Sequence, residues 1–90
     1  MKVIINECYG GFGTAGPRAA WEERNRWQKN VRTDPEAIEI LRKYGSKACS
    51  AHYAELVIMT IPDAATDWEI DEYDGCESIT YVLDGKIFHL

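Results

Sequence analysis

The chain has 90 residues, of which 46% are hydrophobic and 28% charged, the size and balance of one globular domain covering 1–90. Its formal net charge of −5 argues against nonspecific nucleic-acid binding by the whole surface. No apolar run approaches the ~20 residues of a membrane helix, which argues for a protein with no membrane association.

In chain order, Lys2 to Glu7 reads as a first strand, because Val3, Ile4 and Ile5 are contiguous and β-branched. This apolar stretch is too short for a signal peptide, and Glu7 interrupts it. Cys8-Tyr9-Gly10-Gly11-Phe12-Gly13-Thr14-Ala15-Gly16 predicts a loop, since four glycines within residues 10 to 16 disfavour any regular element. Pro17 to Asn30 predicts a helix, with Pro17 suited to its first turn. On that helix Ala20, Arg24, Trp27 and Val31 share one face, and Trp21 lies about 100° from Ala20. One tryptophan then faces the core and the other lies at its edge.

Asp34-Pro35 predicts a second helix start, with Asp34 as the cap. This helix runs to about Tyr44 and stops at Gly45, with Ala37, Ile38, Leu41 and Tyr44 as its apolar stripe. Ser46 to Tyr53 fits no single element. Ala54 to Ile61 predicts a strand ended by Pro62-Asp63, and Trp68 to Tyr73 alternates as a half-buried strand does. Asp74-Gly75 turns the chain. Ile79 to Leu83 reads as a strand, with a short helix over Glu77 to Leu83 as the competing assignment. Asp84-Gly85 then predicts a hairpin into Lys86 to Leu90. Together these predict an α+β fold: a small antiparallel sheet of about four strands with two helices packed on one face.

Several of these segments together resemble a family of small uncharacterised proteins encoded by bacteriophages and prophages. The resembling pieces are the first strand with Cys8-Tyr9-Gly10-Gly11-Phe12-Gly13, Arg32-Thr33-Asp34-Pro35 opening a helix, Leu56 to Asp63, Trp68-Glu69-Ile70 and Tyr73-Asp74-Gly75. The chain departs from the family at Thr14-Ala15-Gly16-Pro17, where a Leu-Ser helix start is typical, and in its apolar C-terminal segment. The resemblance implies a phage accessory protein acting in the cytoplasm of a bacterial host. It carries over no catalytic residue.

Charge is unevenly placed. Pro17 to Arg32 holds Arg18, Arg24, Arg26, Lys29 and Arg32 against Glu22 and Glu23. Asp63 to Asp84 holds eight acids and neither Lys nor Arg. The bland reading of both is a solvated face. The functional reading is a basic element for an anion and an acidic face for a basic partner. A nucleotide or other anionic small molecule would take N–H groups from Gly10, Gly11 and Gly13, a stacking surface from Tyr9, Phe12 and Trp21, and charge from Arg18 and Arg24. The loop lacks the Lys-Ser/Thr end of a P-loop, so a tight turn covering the core edge is the stronger structural reading. The acidic alternative uses Glu69, Asp71, Tyr73 and Asp74 to mimic a nucleic-acid backbone against a host defence protein or another nucleic-acid-binding protein.

The thiols offer a third class. Cys49 and His52 lie three residues apart, and with Cys8 and Cys76 they make a candidate zinc set, but a second short-spaced pair is missing. An odd count of cysteines predicts reduced, free thiols, and nothing local marks Cys8 as a nucleophile or His52 as its base. The residues therefore name no catalytic group, no metal and no cofactor. The functional expectation is a small binding protein that interferes with a bacterial host by sequestering a nucleotide signal. The acidic inhibitor is the alternative, and a thiol- or metal-dependent enzyme comes third. Trp21, Trp27, Trp68, Phe88 and Leu90 are many large apolar groups for a small core, which predicts a homo-oligomer, most simply a symmetric dimer.

Overall fold

The computed structural model describes residues 1–25 and 27–90; Arg26, one of the basic residues of the 17–32 segment, lies outside them. The fold is α+β, with β1 (Lys2–Asn6), α1 (Gly16–Asn25), α2 (Pro35–Tyr44), α3 (Ser46–Cys49), β2 (Leu56–Thr60), β3 (Asp67–Tyr73), β4 (Cys76–Leu83) and β5 (Lys86–His89). The strands form two antiparallel sheets, β1-β2 and β3-β4-β5.

The β1-β2 ribbon is the middle layer. Its register pairs Val3 with Met59, Ile4 with Ile58 and Ile5 with Val57. Successive side chains point to opposite faces, so a contiguous apolar strand must be covered on both. Ile4, Leu56 and Ile58 meet Trp21, Ala37, Ile38, Leu41 and Cys49 on the helical side. Val3, Ile5, Val57 and Met59 meet Trp68, Ile70, Ile79 and Tyr81 of the second sheet. The layers are thus helices, ribbon and meander.

The helices pack on one face of the ribbon, but the strands divide into two stacked sheets instead of one. Periodicity tells which face of a strand is apolar. It does not tell whether the next strand lies beside it or over it. The segment from Glu77 to Leu83 belongs to strand β4, so the helical assignment is set aside. Both Asp-Gly turns place their two residues at positive φ, 51° and 86° at Asp74-Gly75 and 53° and 75° at Asp84-Gly85. Such turns match the twist of an antiparallel pair, which favours strand over helix here. Within the ambiguous Ser46–Tyr53 segment, the short α3 forms.

Helix α2 is built as its sequence predicts: Asp34 Oδ1 accepts the N–H of Glu36 at 2.9 Å, and Pro35 opens the first turn. Helix α1 differs. It ends at Asn25, and its buried residues are Arg18 and Trp21, not Ala20 and Arg24. Trp27 lies past its end and is 87% exposed. A stripe drawn through to Val31 needs a helix six residues longer than the chain forms.

Candidate functional site

The glycine loop is held from both sides by close packing. A Cβ on Gly75 would lie 2.4 Å from the Gly11 nitrogen and 2.6 Å from the Tyr9 carbonyl oxygen, so the loop rests directly on the β3-β4 turn. Gly10 lies against the Tyr53 backbone and Gly13 against the Tyr53 ring, where added Cβ atoms would fall at 2.0 Å and 2.4 Å. The buried Asn6 side chain ties these segments together. Its amide donates to the carbonyls of Cys8 and Gly75, and its Oδ1 accepts the N–H of Glu55 at 2.8 Å. The space an anion would need beside Gly10 and Gly13 is occupied by Tyr53.

The other members of the nucleotide site do not converge on that loop. Arg18 is fully buried, not exposed at a helix start. It donates to the Val31 carbonyl and lies 4.8 Å from the Trp21 ring. Its Nε and Nη1 are buried without a hydrogen-bond partner among the described residues. Burial pushes the Arg18 guanidinium below its ordinary pKa, against the opposing pull of Glu22, Cys49 and Asp34. Trp21 is 1% exposed and donates its indole N–H to Glu36. Phe12 is partly buried in the helical-side core with the Arg32 guanidinium 4.2 Å from its ring centroid. Gly11, at φ 95°, is partly buried, and Tyr9 and Arg24 are exposed.

Cys49 is buried with its thiol against the Ile40 carbonyl, whereas Cys8 and Cys76 are half-buried and His52 is exposed. Burial raises the Cys49 pKa, and Arg18 opposes the shift. Among the described residues no three His, Cys, Asp or Glu side chains are grouped to hold a metal ion. The four candidate zinc ligands do not form a centre.

The acidic segment does form a continuous surface. Register places Asp67, Glu69 and Asp71 on one face of β3, opposite Val82, Thr80 and Ser78 of β4. Ile87 and His89 of β5 continue the first two rows. This is the outer face, because Trp68, Ile70, Ile79 and Tyr81 point inward. Asp67, Glu69, Asp71, Glu72, Tyr73 and Asp74 are all exposed, and none of the five acids forms an ion pair among the described residues. Asp71 accepts the Thr80 hydroxyl at 2.5 Å, and that hydroxyl is 3.2 Å from His89 Nδ1. The depression lined by Asp67, Trp68, Glu69, Thr80, Val82 and Ile87 holds about 150 Å³. That is below the ~300 Å³ at which small-molecule pockets begin. The outward carboxylates form a broad, negatively charged surface.

Sequence reasoning missed the most organised polar group. Arg32 grips Glu77 with two 2.7 Å bonds, and Glu77 also accepts the Asn6 N–H at 2.8 Å. Arg32 further donates to the Ile4 carbonyl at 3.1 Å. The partners are 45 residues apart in the chain, and no local pattern signals the pair. No known family model matches this chain, nor does any curated protein or solved structure.

Proposed function

We propose that this chain is a non-catalytic, phage-type binding protein that interferes with a bacterial host through its acidic sheet face. Its target is a host defence protein or another nucleic-acid-binding protein with a basic groove. The observation that carries the reading is the row Asp67, Glu69 and Asp71: solvent-facing, rigidly spaced along one strand, and free of cationic partners among the described residues. Same-face residues of a strand repeat at roughly 6.8 Å, so the three carboxylates form a regular line of negative charge. Tyr73, 74% exposed, adds an aromatic contact at the end of the row. The phage setting is drawn from the resemblance in Cys8 to Gly13 and Tyr73-Asp74-Gly75.

The test is affinity capture from bacterial extract with the native chain and with an E69K/D71K variant. The expected result is a basic protein retained by the native chain, displaced by heparin and lost with the double variant. The captured protein's nucleic-acid binding should be inhibited by the native chain in a mobility-shift assay. Calorimetry against cyclic and linear nucleotides separates this reading from nucleotide sequestration. Binding that depends on Gly11 and Arg24 and ignores E69K/D71K would overturn the acidic reading.

A further inference from the structure

The two edges of the second sheet are unlike. On the β3 edge the Trp68 N–H is taken by the Asp67 carboxylate at 2.9 Å, and four acids stand along the strand. Both devices discourage pairing with another strand. The β5 edge has neither. Leu90 donates to the Ile79 carbonyl at 2.8 Å, which fixes the alternation of the β4-β5 ladder. In that alternation Lys86, Phe88 and Leu90 direct their backbone groups at β4, while Ile87 and His89 direct theirs outward. Among the described residues strand β5 pairs only with β4, and its whole length is exposed, including Ile87 at 66% and Phe88 at 39%, as is Leu90 just after it at 42%.

We propose that two copies of this chain pair antiparallel through β5, about a two-fold axis at Phe88, to form one six-stranded sheet. In this register Ile87 of each copy faces His89 of the other, so the outward N–H and C=O groups of both residues are satisfied. The same surface meets itself, as closed two-fold symmetry requires. The two Phe88 rings become neighbours in a non-hydrogen-bonded pair, where side chains approach most closely. Each ring already stacks on Tyr81 at 5.2 Å, so the contact extends to a row of four aromatics. Charge selects this edge: β5 carries Lys86 and His89 and no acid, whereas two β3 edges would bring their acidic rows together. The inference stands apart from the acidic-face reading, since it uses the outward backbone groups of β5 and not the carboxylates of Asp67, Glu69 and Asp71.

Sedimentation of the full chain over about 10 µM to about 1 mM covers the range of a small, reversible interface. The expected mass rises from 10.2 kDa to twice that value. Added salt strengthens association, because each copy carries a net charge of −5. I87P removes only an outward N–H, so the β4 ladder is retained and pairing is lost. I87K at the same exposed position gives the second reading should I87P fail to fold. Loss of the dimer with a native circular dichroism spectrum in either variant supports the proposal. A monomer at every concentration, a dimer that survives in the folded variants, or open-ended polymers overturn it.

Discussion

The helical side and the outer sheet contain charged residues in similar abundance and use them in opposite ways. On the helical side, Glu23, Arg24, Lys29, Arg42 and Lys43 are exposed, but three charged groups are committed to partners inside the fold. Arg18 is buried under α1, Arg32 crosses to Glu77, and Glu36 accepts the Trp21 indole. On the outer sheet, Asp67 accepts the Trp68 N–H and Asp71 the Thr80 hydroxyl, and none of Asp67, Glu69 and Asp71 pairs with a cation among the described residues. The physical difference is length and partner geometry. An arginine can cross a layer and satisfy a distant carbonyl or carboxylate with its fork of donors. A short aspartate on an outward strand position has no cation within reach, so its charge stays available to a partner. A basic segment in the sequence is therefore not yet a basic patch.

Breaking the inward network should give the largest effect. Glu77→Ala strands Arg32 and removes the acceptor of the Asn6 N–H, and is expected to lower stability by about 3 kcal/mol in urea titration. Replacing Arg32 and Glu77 together by leucine should be milder than either single loss, since no buried charge is left alone. Gly75→Ala comes next, at about 2–3 kcal/mol, because its Cβ meets backbone at 2.4 Å and φ is 86°. Gly85→Ala has a similar φ but open space around it, so about 1 kcal/mol is expected. A comparison of the two melting curves isolates the close approach of the glycine loop.

Arg18→Met sharpens the contrast between the arginines. The substitution removes a buried guanidinium that has two unbonded nitrogens, so stability should change by less than about 1 kcal/mol or rise. A loss as large as that of Glu77→Ala would show that Arg18 is as well satisfied as Arg32. On the outer sheet, E69K should shift stability by about 0.5 kcal/mol or less while abolishing partner capture.

The smallest effect concerns pH. Burial raises the Cys49 pKa in the folded state, so between the ordinary thiol value and the raised one the unfolded chain has lost a proton that the folded chain keeps. Stability should fall as pH rises above about 8.5 and not below it. In Cys49→Ala that contribution to the alkaline slope should vanish in paired urea titrations at pH 7 and pH 9.5.

Much of the fold was legible because local chemistry decides it. Asp34-Pro35 starts a helix by capping and fixed φ. Both Asp-Gly pairs make hairpins by tolerating positive φ. The alternation of Trp68 to Tyr73 marks a half-buried strand. The acidic row was legible for the same reason, since a strand's period sends Glu69 and Asp71 to one face whatever it packs on. The arginines were not legible. Helical spacing cannot tell which side of α1 will be covered, and the chain ends that helix at Asn25 before the stripe through Trp27 can form.

The sequence by itself determined the elements, their turns and the solvent-facing acids, because each depends on neighbours within a few residues. Tertiary structure alone decided that the strands stack as ribbon and meander, that Tyr53 fills the glycine loop, and that Arg32 finds Glu77. Those contacts join residues tens of positions apart. Their free energy comes from excluding water between surfaces that meet only after the layers assemble.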